Sequence, residues 1–158
     1  NMKDKQFIIR SVNEEDEALL KNMYLSDIEE NHEKASRFAY NLIHKVKTLA
    51  CINGEGVIGT ISWDIRGGLE DGVIELVALG TSPSYHRRGI GRELILAMIN
   101  EAQAFFTKFS YKLRVIYLFM EKNNEVGREF YKNMGFREIF TIPSFLPHDD
   151  VVFWIKYY

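Results

Sequence analysis

Along the chain the hydrophobic positions change their period several times, and each change marks a new element. Phe7 to Ser11 is a short β-prone run. Asn13 follows as an N-cap, with Asp16 at the third helical position. Leu19, Leu20, Met23, Tyr24 and Ile28 then recur at helical spacing. A second amphipathic stretch runs from about Glu33 to Lys47, with Phe38, Leu42, Ile43 and Val46 on one stripe. Leu49 to Asn53 and Val57 to Ile65, on either side of Gly54-Glu55-Gly56, predict a β-hairpin. Val57, Gly59, Ile61, Trp63 and Ile65 share one face of its second strand. A glycine-rich turn leads into a strand from Val73 to Thr81, which Pro83 ends because it has no N–H for a ladder. From Gly89 a long helical pattern reaches about Lys108, with Leu94, Ile95, Met98, Ala102, Phe105 and Phe109 facing inward. Leu113 to Met120 is an apolar strand. Asn124 to Met134 is a shorter helix, stopped by Gly135 as a left-handed cap. Phe136 to Ile142 and Val151 to Tyr158 are the last two strands.

The order is therefore β-α-α-β-β-β-α-β-α-β-β. It predicts an α/β domain whose sheet mixes parallel and antiparallel pairs, with a right-handed parallel crossover from Val73 to Met120. The 158 residues fit a single domain over 1–158. With 46% hydrophobic and 27% charged residues the composition is that of a globular chain. A net charge of −2 argues against nucleic acid as a partner, since neutralising phosphates calls for a basic surface. No apolar run approaches the roughly 20 residues that cross a bilayer. The polar start, Asn1 to Gln6, has no signal-type apolar stretch, and Asn1 ahead of Met2 reads as a tag remnant. Cys51 is the one cysteine and has no internal partner, which fits a reducing compartment. The expected location is the cytoplasm.

The most informative segment is Ser84-Tyr85-His86-Arg87-Arg88-Gly89-Ile90-Gly91-Arg92, between a strand and the start of the long helix. Peptide N–H groups at a helix start lack internal partners, and the helix dipole adds partial positive charge. Gly89 and Gly91 have no side chains to keep a phosphate away, and Arg87, Arg88 and Arg92 add charge at the rim. These features predict a pyrophosphate cradle. A dinucleotide fingerprint would need a third glycine where Leu94 stands, and a P-loop would need Gly-Lys-Ser/Thr.

His86-Arg87-Arg88-Gly89-Ile90-Gly91 resembles the coenzyme A signature of the GNAT N-acetyltransferase superfamily, Q/R-x-x-G-x-G/A, with His86 departing at the first position. Asn124-x-x-Gly127-x-x-Phe130-Tyr131-x-x-x-Gly135-Phe136 is similar to the family's later motif, N-x-x-A-x-x-F-Y-x-x-x-G-F, with Gly127 in place of alanine. The element order over nearly the whole chain is also the family's. The resemblance implies a splayed sheet, with the pantetheine arm of acetyl-CoA between the strands before and after the long helix. It further implies that the main chain of Leu79, Gly80 and Thr81 pairs with that arm. The Leu79 amide would face the thioester carbonyl, and the N–H groups from Arg87 through Ile90 to Arg92 would hold the pyrophosphate. Asn124 would contact the arm, and Tyr131 would protonate the leaving thiolate. The bland alternatives are a helix cap for Asn124 and a core aromatic for Tyr131.

Glu75 stands eleven residues before His86, a spacing at which some members of this family carry their general base. An alkyl amine with pKa about 10 is only about one part in a thousand unprotonated at pH 7, a penalty near 4 kcal/mol. A carboxylate beside it could take the proton. The alternative is a strand acid paired with an arginine. His32, His44 and His148 lack metal-ligand spacing, so no metal is expected. Cys51 reads as a packed thiol. Asp27, Glu29, Glu30 and Glu33 form an acidic cluster between the first two helices, either a solvated helix end or an attraction for a cationic amine. The aromatic tail, Phe153, Trp154, Tyr157 and Tyr158, reads as a packed last strand, with a homodimer interface as the alternative.

The expected function is transfer of an acetyl group from acetyl-CoA to a primary amine of a small molecule, by direct attack in a ternary complex. A peptide or protein N-terminal amine is the alternative acceptor. A non-catalytic acyl-CoA sensor of the same fold is the rival from another class. Neither a nucleic acid nor a membrane partner is expected.

Overall fold

A computed structural model of the chain describes residues 6–158; the expectations placed on Asn1 to Lys5 lie outside the described residues. The elements are β1 (Ile8–Ser11), α1 (Glu17–Asp27), α2 (His32–His44), β2 (Lys47–Asn53), β3 (Gly56–Arg66), β4 (Val73–Thr81), α3 (Ile90–Lys108), β5 (Val115–Glu121), α4 (Glu125–Asn133), β6 (Arg137–Ile142) and β7 (Val151–Tyr157). Their order is the one the hydrophobic pattern predicts. The strands form a seven-stranded sheet in the order β1-β2-β3-β4-β5-β7-β6. The chain packs as two compact units, one made of the chain up to Asp64 with Ala78–Glu101, the other of Ile65–Val77 with Ala102–Tyr158.

In the first unit, α1 does not start directly on its cap. Asn13 Oδ1 accepts from Glu15 N (2.8 Å) and Asp16 Oδ2 accepts from Asn13 N (2.8 Å). This reciprocal box tightens Glu14–Asp16 into a 3-10 turn ahead of the helix. Arg10 clamps Asp16 with two further bonds, 2.8 and 2.7 Å long. The guanidinium bonds, helped by the Asn13 amide, hold this buried carboxyl below the usual carboxylate range. A carboxyl whose folded pKa is depressed stabilises the fold above its unfolded value, near 3.9, and that contribution disappears as pH falls through the folded value. Asp16→Asn should therefore cost about 1–3 kcal/mol at neutral pH. It should also flatten the acid limb of a denaturant-stability curve below about pH 4; an unchanged limb would contradict this.

The core beneath α1 and α2 comprises Leu20, Met23, Ala39, Leu42, Ala50 and Val57, with Leu19, Phe38 and Ile43 at its edge. Burying each large side chain contributes about 1.5–3 kcal/mol. Ala35 and Ala39 line the buried stripe of α2 alongside Leu42, so small residues as well as large ones define that face. Ile28, expected on the apolar face of α1, is 55% exposed because it follows the helix's last residue. The β2–β3 hairpin turns through Gly54-Glu55, with Asn53 opposite Gly56.

In the second unit, β4 and β5 pair in parallel from Val73↔Val115 to Glu75↔Tyr117, and each strand continues beyond that register. β7 pairs antiparallel with both β5 and β6. Ile116, Leu118, Met120, Val152 and Trp154 are buried. Toward the end of α3, Ala102 and Phe106 are buried, whereas Phe109 is 43% exposed. The expected inner positions Phe105 and Phe109 are thus corrected to Phe106. An i+4 step from Ala102 reaches Phe106, and the helix ends at Lys108 before Phe109 could join the stripe. In the tail, Trp154 is core while Tyr157 and Tyr158 are exposed. No helix among the described residues is long and apolar enough to cross a membrane.

Candidate active site

β4 ends in Leu79, Gly80 and Thr81, all half-buried, and the chain passes through a 3-10 turn at Pro83–Tyr85 into the start of α3. Several contacts hold this loop. Ser82 N donates to Ile58 O (2.8 Å), and Ser82 Oγ donates to Asp27 Oδ2 (2.5 Å). The Tyr85 hydroxyl accepts from Asn53 Nδ2 (2.8 Å) and donates to Glu55 Oε2 (2.9 Å), tying the loop to the β2–β3 hairpin. The Arg88 guanidinium lies 5.4 Å from the centre of the Tyr85 ring. His86, the residue that departs from the signature, turns its Nε2 back to within 3.1 Å of Thr81 O. It therefore braces the loop on the end of β4.

Arg87 (φ 65°) and Gly89 (φ 80°) take the left-handed conformation. That turns the chain sharply into α3, where Glu93 N donates to Gly89 O (3.0 Å) as the first helical bond. The peptide N–H groups of Ile90 and Gly91 precede that first helical donor. A Cβ at Gly89 or at Gly80 would meet nothing within 4 Å, so both glycines front open space. Gly59 does the opposite: a Cβ there would lie 3.0 Å from Leu94 Cδ1, 3.1 Å from Ile90 Cγ2 and 3.2 Å from Gly80 O. The first turn of α3 and the end of β4 sit close on β3 because Gly59 has no side chain. The expectation that Val57 shares a face with Gly59 is corrected here: a β-bulge between Cys51 and Ile52 shifts the register, so Val57 packs into the α1–α2 core while Gly59 faces α3.

The later motif sets the ends of α4. Asn124 Oδ1 accepts from Gly127 N (2.8 Å), an N-cap bond that realises the bland alternative for this residue. Gly127 fits because a Cβ there would lie 2.6 Å from both Asn124 Nδ2 and Met120 Sδ. The helix propensity an alanine would add, about 1 kcal/mol, is thus opposed by displacement of the cap. At the other end Gly135 (φ 89°) donates to Lys132 O (3.1 Å), and Phe136 N donates to Tyr131 O (2.9 Å). These two bonds, with the Tyr131 and Phe136 rings 5.6 Å apart, form a Schellman cap. The Gly135-Phe136 pair of the motif therefore fixes where Tyr131 sits. Tyr131 is buried between the edge-on rings of Phe130 and Phe136. Burial alone pushes its phenol well above the ordinary tyrosine range, so it stays protonated at any physiological pH.

Glu75 lies on β4 with its side chain 19% exposed. Its Oε1 accepts from Arg66 Nε (3.1 Å) and from the Tyr117 hydroxyl (3.4 Å). The arginine pairing weighed as an alternative is thus present, and it engages one carboxylate oxygen. Burial, with the Glu75 charge second, pushes the Tyr117 phenol up. Arg66 and Tyr117 escaped the sequence reading, because only the parallel register of β4 and β5 brings Tyr117 beside Glu75.

The remaining candidates take structural places. Cys51 is buried in β2 and its thiol is pushed up to about 11, by burial first and by Glu93 second, so it is not a thiolate nucleophile. In the acidic cluster, Asp27 holds Ser82, Glu29 pairs with Lys34 (3.0 Å) and Glu33 pairs with Arg37 (3.1 Å). Among the described residues no group of three or more His, Cys, Asp or Glu is placed to hold a metal ion.

Comparison with known proteins places this geometry. The model of the acetyltransferase (GNAT) family matches residues 12–136, and the chain belongs to that family. A search of curated proteins found no match. Among solved structures, NAA60 of Arabidopsis thaliana in complex with acetyl-CoA is similar at 20% identity and a TM-score of 0.71, over 96% of this chain and 98% of that one. The ribosomal-protein-S18-alanine N-acetyltransferase of Escherichia coli matches at 15% identity and a TM-score of 0.71, over 94% and 92%. The spermidine/spermine N-acetyltransferase SpeG of Vibrio cholerae, solved with manganese ions, matches at 17% identity and a TM-score of 0.70, over 98% and 94%. These likenesses extend over nearly the full length of each chain and establish the shared fold.

Proposed function

We propose that this chain transfers the acetyl group of acetyl-CoA to the primary amine of a small molecule, by direct attack in a ternary complex. The observation that carries the reading is the glycine turn at Gly89, which fronts open space at the start of α3. Peptide N–H groups of Gly89, Ile90 and Gly91 would bind the pyrophosphate, with Arg87, Arg88 and Arg92 supplying charge at the rim. The main chain of Leu79, Gly80 and Thr81 would pair with the pantetheine arm, and the Leu79 N–H would stabilise the oxyanion. Asn124, whose oxygen caps α4, keeps its amide nitrogen to donate to the arm.

The chemistry balances as follows. Glu75 takes one proton from the ammonium form of the acceptor, directly or through a water. The neutral nitrogen attacks the thioester carbonyl carbon, and the C–N bond forms as the carbonyl π pair moves to oxygen. When that pair returns, the C–S bond breaks and the thiolate takes the Tyr131 proton. The nitrogen releases its second proton, and the phenolate is reprotonated. The products are an amide, coenzyme A and one proton to solvent.

Gly89→Ala tests the cradle. The added methyl meets no protein atom, so its effects are the left-handed strain, roughly 1–2 kcal/mol, and obstruction of the phosphate's approach. Calorimetry should show acetyl-CoA binding at least about tenfold weaker, equivalent to about 1.4 kcal/mol. An unchanged Kd in the folded variant would remove the loop from the binding site.

A further inference from the structure

On the second unit, one face of β5, β7 and β6 carries a continuous run of aromatic rings beginning at Glu75. The Tyr117 hydroxyl reaches Glu75 (3.4 Å), and its ring stacks on Phe153 with centroids 5.5 Å apart. Phe153 stacks in turn on Phe140 (4.9 Å) and leans on Phe119 (5.3 Å). Phe119 stacks on Phe145, from the segment between β6 and β7, at 6.4 Å and 6°. These rings are not core: Phe119 is 42% exposed, Phe140 47% and Phe145 58%. Exposed aromatic surface of this extent marks a binding surface more often than chance placement. Charge narrows what it binds. The Glu75 carboxylate is paired with the Arg66 guanidinium at 3.1 Å, so the two together carry no net charge. Recognition must then come from the apolar body of the ligand, with the amine drawn to the one carboxylate oxygen that Arg66 and Tyr117 leave open.

We infer that the acceptor is an arylalkylamine, its ring lying on the Phe119–Phe153 wall and its amine at Glu75. This rests on the assignment of Glu75 as the base of acetyl transfer. Polyamines would leave the wall uncovered.

The test compares 2-phenylethylamine, n-butylamine and spermidine as acceptors, read by release of the coenzyme A thiol. For the wild type, kcat/KM with 2-phenylethylamine should exceed that with either other amine by at least about tenfold, within the discrimination an apolar pocket supplies. Phe119→Ala should erase most of that preference through KM. Phe145→Ala, on an exposed loop, should act in the same direction and guards against a folding defect at Phe119. Equal or better use of spermidine or n-butylamine would overturn the aryl assignment and leave acetyl transfer standing. Acetyl-CoA binding without thiol release from any amine would instead remove the acetyl-transfer reading, and this inference with it. Sedimentation that showed a dimer dissociated by Phe145→Asp would assign the wall to a second copy of the chain and overturn the proposal.

Discussion

Tyr131→Phe should lower kcat by roughly 10- to 1000-fold, the range of a lost acid–base group and somewhat below it, while acetyl-CoA affinity stays nearly intact. The structure makes this an unusually clean substitution. The ring keeps its edge-on contacts with Phe130 and Phe136, and the Schellman cap that places it uses only the main chain of residue 131. Burial is the only influence on the phenol, with no hydrogen bond from the described residues acting on it, so removing the hydroxyl leaves no orphaned partner. Thermal unfolding should accordingly be unchanged. Because burial keeps the phenol protonated, the wild-type rate should show no limb from Tyr131 ionising at neutral pH. Pre-steady-state measurement would establish that chemistry limits turnover; wild-type kcat in the variant under that condition would take Tyr131 out of the reaction.

Glu75→Gln should reduce kcat/KM near neutral pH by about 100-fold or more, within the usual range for a general base. The amide keeps the shape and can still accept from Arg66 Nε and the Tyr117 hydroxyl, but it cannot take a proton. At pH 7 an alkyl amine is almost wholly protonated, so the variant must rely on the rare neutral form, about one part in a thousand. As pH rises toward the amine's own pKa that handicap shrinks, and the variant should recover much of the lost rate. The wild-type and variant profiles should therefore converge at high pH. A purely structural Glu75 predicts otherwise: a less stable protein whose pH profile keeps the wild-type shape. The Tyr117 phenol supplies a second readout. Glu75 helps to push it up, so its titration should move back toward the ordinary tyrosine value in the variant.

How far the sequence revealed this protein differs between elements for physical reasons. The element order was readable throughout, because every strand and helix carries a clear period and most ends carry a chemical signal. Asn13, Pro83 and Gly135 each stop or start an element where expected. The loop from Ser84 to Arg92 stood out because glycines and arginines gathered at a helix start have few other uses. Phase within α3 was harder: Phe105, Phe106 and Phe109 all lie near the apolar stripe, and only packing decides that Phe106 goes inside. Residues joined by strand register or close approach were not legible. Tyr117 meets Glu75 because β5 pairs with β4 at one particular offset, and Gly59 matters because Leu94 and Ile90 come down upon it. Gly127 stands where the family motif has alanine, and the contacts of Asn124 and Met120 show why a smaller residue fits.

The central claim is that acetyl-CoA is a substrate of this chain and an amine its acceptor. The most direct measurement follows both products in one incubation of protein, acetyl-CoA and 2-phenylethylamine, with coenzyme A thiol titrated and the N-acetyl amide quantified by mass spectrometry. The account predicts amide and thiol appearing in equal amounts, over many turnovers, and only when the amine is present. Saturable acetyl-CoA binding with neither product, across amines of every class, would make the chain an acyl-CoA sensor and contradict the account.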